Sequence, residues 1–316
     1  MKQGMKMLTL AQMQFYQENG YVVIPAVFSS DEIKTLSDST EKLALEAKKF
    51  HVTNSEQQFE ELRGTQVVLA HTKDNQVAIK RLVWAAAADP SLLKIGRDER
   101  VLKLAFSILQ TDEADHLINQ VHLKEPHDGV SFPWHQDEQN RRKFDPDWQD
   151  CGENGSFVQI IVAIDPCTTE NGPLLVIPGS HHWGYLKFDA FLTNEQLDER
   201  FMSVRGLKVE SAQVPLLMQP GDAVLMHPRL IHGSWPNESP VPRRVFLNGF
   251  SSPEANHRQY PGVGSAKRIS LIDGSEIDLK MRASINALIE SRSGLSKVKT
   301  PEPQSQPSLP LTTTFH

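Results

Sequence analysis

Cysteine is scarce in this sequence. Cys151 and Cys167 are the only two in 316 residues. They are too few for a disulfide framework and do not form a C-x-x-C pair. A reducing compartment is the simplest expectation. Long apolar runs are missing as well: nothing approaches the roughly 18 residues of a membrane span. The opening MKQGMKMLTLAQMQF carries two lysines but no apolar segment followed by a cleavage site. Basic excess is absent, with 33 Lys and Arg against 39 Asp and Glu and a net charge of −6. A nucleic-acid partner would require a basic stripe, so none is expected. No internal repeat is present. These absences leave a soluble, cytoplasmic protein as the default. Its 39% apolar and 23% charged residues are ordinary for a globular chain, which at this length can bury a core without staples. The sequence assigns no oligomeric state.

What is present begins with helices. Thr9 and Gln12 form a capping box, Leu8 and Met13 a hydrophobic staple, and Gly20 a stop. Tyr21–Ile24 reads as a short strand closed by Pro25. Ser29 and Glu32 start a second helix, with Ile33, Leu36, Thr40, Leu43 and Ala47 on one face. Residues 51–80 are polar, with short strands at 67–69 and 77–79; the alanines after Trp84 read as helical up to Asp89–Pro90. Asp98 caps a helix bearing Val101, Leu104, Ala105 and Ile108. The first third is thus expected to be a helical layer with a few strands. From about residue 116 the pattern changes to short strands between turn residues: 117–123, 157–164, 174–177, 214–218, 223–226 and 245–250. That pattern predicts a sandwich or barrel and excludes a doubly wound parallel sheet. A helix-containing insertion is expected at 189–201. The tail after Ser291, rich in Ser, Pro, Thr and Gln, is expected to be mobile. The expected organisation is one domain over 1–290, with a helical N-terminal region over 1–115 and a barrel core over 116–255, followed by a tail over 291–316.

The chemistry centres on Trp134–His135–Gln136–Asp137. On an extended strand, residues i and i+2 share a side, so His135 and Asp137 can reach one metal ion. Two histidines and a carboxylate form the set that holds non-haem iron and leaves coordination positions open. The third ligand comes from G-D-A-V-L-M-H-P-R-L-I-H-G-S, which offers His227 or His232; His181–His182, after a turn, are a further choice. Arg243 and Arg244 enter an apolar strand. Either they face water, or one points inward for a bidentate carboxylate contact. Ser234 can add a hydroxyl to the same carboxylate.

These segments together resemble the phytanoyl-CoA dioxygenase family. The resemblance rests on W-H-Q-D, E-N-G-P-L-L-V-I-P-G-S-H, the His227–His232 segment, the later arginine and the opening F-Y-Q-E-N-G-Y-V-V-I-P-A-V-F-S-S-D-E-I. It runs from about residue 10 to 255. It implies a mainly β fold, a double-stranded β-helix (jelly roll, cupin-like) core packed by N-terminal helices. It also implies an Fe(II)- and 2-oxoglutarate-dependent dioxygenase that uses O2, hydroxylates a substrate C–H bond and releases succinate and CO2. Carried over by position, His135, Asp137 and His232 are the iron ligands, and His227 is not one. Arg243, rather than Arg244, pairs with the distal carboxylate of 2-oxoglutarate. Ser234 lies near that carboxylate, and Gln136 stands where some members contact the cosubstrate. Gln120, His122 and Lys124 compete for a further contact. Ile161 stands where some relatives have Trp. Asp137 disfavours halogenation, which in related enzymes needs a small residue there.

The resemblance does not set the substrate beyond a small molecule. It would be anionic if Arg141, Arg142 and Lys143, in an expected loop over 138–155, serve it; a solvated charge run is the plainer reading. The competing function is a cupin-like metal-binding or sensing protein without turnover, followed by a Zn- or Mn-dependent hydrolase or isomerase.

Overall fold

The computed structural model describes residues 7–51, 59–71, 77–150, 152, 154–188, 191–257 and 267–279. The expected mobile tail lies outside them. Two antiparallel sheets face each other. The larger is built from β1 (Tyr21–Ile24), β2 (Phe59–Leu62), β3 (Thr65–His71), β4 (Val77–Val83), β5 (Glu113–Lys124), β7 (Phe157–Ala163), β10 (Ala223–Met226) and β12 (Arg243–Ser251). It runs in the order β1-β10-β7-β12-β5-β4-β3-β2, with β13 (Lys267–Ser270) also paired to β5. The smaller holds β6 (Phe132–His135), β11 (His232–Ser234), β8 (Leu174–Val176) and β9 (Val214–Leu216), in the order β6-β11-β8-β9. This is the jelly-roll arrangement the sequence implied, as two facing sheets rather than a closed barrel.

Alternation along the strands decides what each face does. On β7, Val158, Ile160 and Val162 pack against the helices, whereas Ile161 and Ala163 face the small sheet. A period of two places successive side chains on opposite faces. The outer face is covered by α2 (Ser30–His51), α3 (Pro90–Gly96) and α4 (Glu99–Leu109) through Leu36, Leu43, Leu92 and Leu102. Ile33, Leu36, Thr40, Leu43 and Ala47 of α2 are all buried, as their spacing predicts. The capping box of α1 (Leu10–Asn19) is present, and Gly20 ends that helix in a left-handed conformation. Asp98 accepts from the Arg100 amide at the start of α4.

Three expectations change. The first third is more than a helical layer: β1 joins β10 at one edge of the large sheet, and β2, β3 and β4 extend the other beyond β5. The alanines after Trp84 form one 3-10 turn, Ala85–Ala87. Asp89–Pro90 then opens α3 instead of ending a helix, because Asp89 caps the Ser91 amide and proline suits the first helical turn. Finally, the expected loop after Asp137 begins with α5 (Asp137–Phe144). The insertion near 189–201 does hold a short helix, Asn194–Leu197. Among the described residues no helix is long and apolar enough to cross a membrane.

Candidate metal centre

The seam of the small sheet builds the centre. His135 ends β6 and His232 begins β11, and the two are direct ladder partners. Their rings lie 4.2 Å apart, centroid to centroid. His135 Nδ1 is 2.8 Å from the Pro133 carbonyl, and His232 Nδ1 is 2.9 Å from the Leu230 carbonyl. A carbonyl can only accept, so each Nδ1 carries a proton and each Nε2 is left to face the cluster, where a neutral ring presents its lone pair. Both Nε2 atoms are 3.9 Å from Asp137 Oδ1. The three ligand atoms all lie within 4.8 Å of one another. Burial, with His232 beside it, pushes His135 well below the usual histidine range and keeps it in the neutral form that ligates metals.

Asp137 does not reach this cluster along a continuous strand. Gln136 is extended and caps α5, so Asp137 is the first helical residue. A carboxylate is favoured there by the helix dipole. The joint is fixed from behind. The Gln136 amide donates to the Gly184 and Arg229 carbonyls at 2.9 and 2.6 Å, and its Oε1 accepts from the Leu186 amide at 2.9 Å. Gln136 is fully buried. The structure therefore turns it away from the position expected for a cosubstrate contact, because it points to the side opposite its two neighbours. Glu138 is also fully buried, and Arg142 and Arg229 hold its carboxylate at 2.6 and 2.5 Å.

A cavity of about 1120 Å3 opens beside the cluster, between the two sheets. Ser234, Arg243 and Ile161 line it, as do Gln120 and His122. Arg243 is buried; its guanidinium donates to the Gly172 carbonyl at 2.5 Å, and its Nε has no partner. Among the described residues no ion pair engages it. Arg244, one residue on, faces the other way and is chelated by Asp165 at 2.8 Å. Lys124 is the ladder partner of Arg243 and has no exposed surface. Its Nζ reaches Ser234 Oγ at 2.8 Å, the Gly172 carbonyl at 3.2 Å and the Trp235 carbonyl. Burial, then the Arg243 charge, push it down to about 5. Lys124 thus stands behind Ser234, while Gln120 and His122 form the wall; His122 stacks on Phe132 at 4.5 Å.

The remaining histidines serve elsewhere. His227 Nδ1 accepts from the Arg229 amide at 3.0 Å, and burial holds the ring down to about 3. His181 donates to the Gln17 carbonyl at 2.9 Å, tying the turn to α1. His182 is exposed. The cations of α5 are not free charges. Arg142 is bound to Glu138, and Arg141 and Lys143 lie over the Phe157 and Phe144 rings at 5.1 and 5.7 Å. Two further cations, Lys80 and Arg81, line the cavity from β4. Neither stands out in the sequence, where their only signal is a basic pair set inside the apolar stretch V-A-I-K-R-L-V.

The phytanoyl-CoA dioxygenase (PhyH) family model matches residues 16–245. The chain belongs to that family. As a PhyH-family member it is an oxygenase. It is 26% identical over 245 residues to a probable alpha-ketoglutarate-dependent hypophosphite dioxygenase of Stutzerimonas stutzeri, covering 77% of this chain and 79% of that one. It is also 26% identical over 263 residues to the human peroxisomal phytanoyl-CoA dioxygenase, covering 81% and 72%. Among solved structures, EctD from S. alaskensis with 2-oxoglutarate and 5-hydroxyectoine superposes with a TM-score of 0.60 at 20% identity, over 81% of this chain and 86% of that one. That likeness is one of fold.

Proposed function

We propose that His135, Asp137 and His232 hold iron(II), and that the enzyme couples decarboxylation of 2-oxoglutarate by O2 to hydroxylation of a small-molecule C–H bond, releasing succinate and CO2. The observation that carries this reading is the convergence of two Nε2 atoms and one carboxylate oxygen beside a buried arginine that has no acidic partner among the described residues. The donor set suits iron(II): imidazole nitrogen and carboxylate oxygen on one side, open positions on the other. When bound, the metal supplies the redox chemistry that activates O2.

The chain's own residues supply position and exclusion. Arg243 offers a bidentate donor for one carboxylate of 2-oxoglutarate, with Ser234 as a hydroxyl donor and Lys124 holding that hydroxyl in place. Gln120 and His122 form the adjacent wall. The relatives named for hypophosphite and for phytanoyl-CoA act on unrelated molecules, so the substrate is set by the cavity wall rather than by the family. A reducing, cytoplasmic setting fits a chain with only two cysteines.

The test is succinate formation by the full chain supplied with iron(II), 2-oxoglutarate and O2. Slow succinate release is expected without substrate, and His135→Ala and Asp137→Ala should abolish it together with tight iron binding. Metal and 2-oxoglutarate binding without succinate above background, across a broad metabolite pool, would instead favour a sensing role.

A further inference from the structure

We infer that Glu138 and Arg229 are positioning residues of the metal centre: their ion pair clamps the segment that carries His135 and Asp137 to the segment that carries His232, and so sets the spacing of the three ligands. The inference rests on the metal reading above and gives that centre a determinant outside its own ligands.

Strand pairing sets only part of that spacing. His232 meets His135 on the ladder, but Asp137 lies past the end of β6, at the first position of α5. Its distance to His232 needs another tie, and Arg229 supplies it from both sides. The Arg229 carbonyl accepts from the side-chain amide of Gln136, the residue before Asp137, at 2.6 Å. The Arg229 guanidinium grips the carboxylate of Glu138, the residue after Asp137. Its Nε lies 2.5 Å from Oε2, and a second nitrogen lies 3.4 Å from Oε1. Such a fork fixes orientation as well as distance. The Glu138 amide adds a third tie, donating to the Pro228 carbonyl at 3.0 Å.

Arg229 is itself held in place. The Leu230 amide donates to the His227 carbonyl at 3.0 Å and closes a turn, with Pro228 at the second position that its fixed φ suits. The Arg229 amide donates to His227 Nδ1 at 3.0 Å, so the histidine that is not a ligand supports the turn that leads to the one that is. Asp150 takes another edge of the guanidinium at 3.1 Å. Arg142 binds Glu138 as well, at 2.6 Å, but from one turn further along α5, so that contact does not cross between the segments. Two acids, Glu138 and Asp150, are thus balanced by two bases, Arg142 and Arg229. Glu138 has no exposed surface, and a buried carboxylate parted from its partner is costly. The cluster is satisfied only while the two segments keep this arrangement. Neither Glu138 nor Arg229 lines the cavity, so their influence on the centre passes through position.

The test is manganese(II) titration of the full chain, followed by electron paramagnetic resonance under conditions where circular dichroism shows each variant folded. Glu138→Gln and Arg229→Gln should each raise the Kd by about 10- to 100-fold, the usual cost of losing a group that orients a ligand. Arg229→Lys keeps the charge without the fork and should recover part of the loss. The double variant should bind no more weakly than either single one, because both remove the same tie. The cobalt(II) absorption bands should shift in the same variants as Asp137 moves. Arg142→Gln is the control. It strips a partner from the same carboxylate within α5, so it should lower the urea midpoint yet leave the Kd within about threefold. Folded Glu138→Gln and Arg229→Gln that bind like the wild type overturn the proposal, as does an Arg142→Gln that weakens binding as much as they do. If the single variants fail to fold, the double variant replaces them, since it leaves Asp150 and Arg142 in balance, and binding like the wild type again overturns the clamp. A wild type that binds no manganese(II) overturns the metal reading and this inference with it; tight binding by the wild type with unchanged variants overturns the clamp alone.

Discussion

At the residue scale, neighbouring arginines have opposite environments. Arg243 points into the cavity with no acid among the described residues to meet it, and Arg244 points out to Asp165 and Ser37. Replacing a guanidinium by an ammonium keeps the charge but loses the fork. Arg243→Lys should raise the KM for 2-oxoglutarate by about 10- to 100-fold, the cost of one charge-assisted bidentate contact. Arg244→Gln should leave that KM within about twofold while lowering stability by about 1 kcal/mol. Succinate-release kinetics and urea unfolding of the two variants check the contrast. The sequence made this pair visible, since alternation alone sends adjacent residues to opposite faces. It could not rank Gln120, His122 and Lys124. Those three share a face by the same alternation; what separates them is depth in the cavity, which periodicity does not encode. Arg81 was illegible for a related reason. Its inward aim follows from a pairing irregularity with β3, and pairing is not written in either strand alone.

At the scale of elements, the joint between β6 and α5 decides the metal geometry. H-x-D suggested two candidate ligands on one strand, and His135 and Asp137 meet for a different reason: the strand stops at His135 and a helix starts at Asp137. The signal for that start was weak, because Gln136 is an unusual cap and uses its side chain elsewhere. Gln136 instead satisfies three backbone groups from two other loops. Gln136→Leu leaves all three unpaired in the interior and should cost about 3 kcal/mol. It should also weaken manganese(II) binding although it removes no ligand. Denaturant unfolding and a metal titration test this; full metal affinity in a destabilised variant would show that the joint does not orient Asp137. The short strands from 117 onward were legible because Gly, Pro, Asn and Asp bound them. The hairpin over 65–83 was only half legible, since one of its faces lines a polar cavity and so interrupts the apolar alternation.

On the scale of the whole molecule, the N-terminal third and the later strands form one large sheet, and its interior keeps several histidines neutral. His116 is fully buried, stacked on Phe250 at 4.6 Å, and burial with the nearby Arg97 push it down to about 3. His227 is held equally low. In the unfolded chain both take up protons near the ordinary value of about 6.5. Between about pH 6.5 and 3 the unfolded state therefore binds more protons than the folded state. Stability falls as pH drops through this window, by up to about 1.4 kcal/mol per pH unit for each histidine, and the effect levels off below about 3. Urea midpoints from pH 7 to pH 4 should decline accordingly, with a shallower slope in His116→Gln; an unchanged slope would remove His116 from this account. The joining of the N-terminal strands to both edges of the sheet was not legible, because edge pairing depends on which strands lie free once the centre is formed. The ladder pair His135 and His232 carries one more consequence. An ion held by both ties together positions about a hundred residues apart in a chain with no disulfide network. Closing so long a loop in the denatured chain removes much of its freedom, the same entropic lever a cross-link exerts. The metal would then act as a removable rivet, and the loaded enzyme would survive heat and proteases that open the empty one.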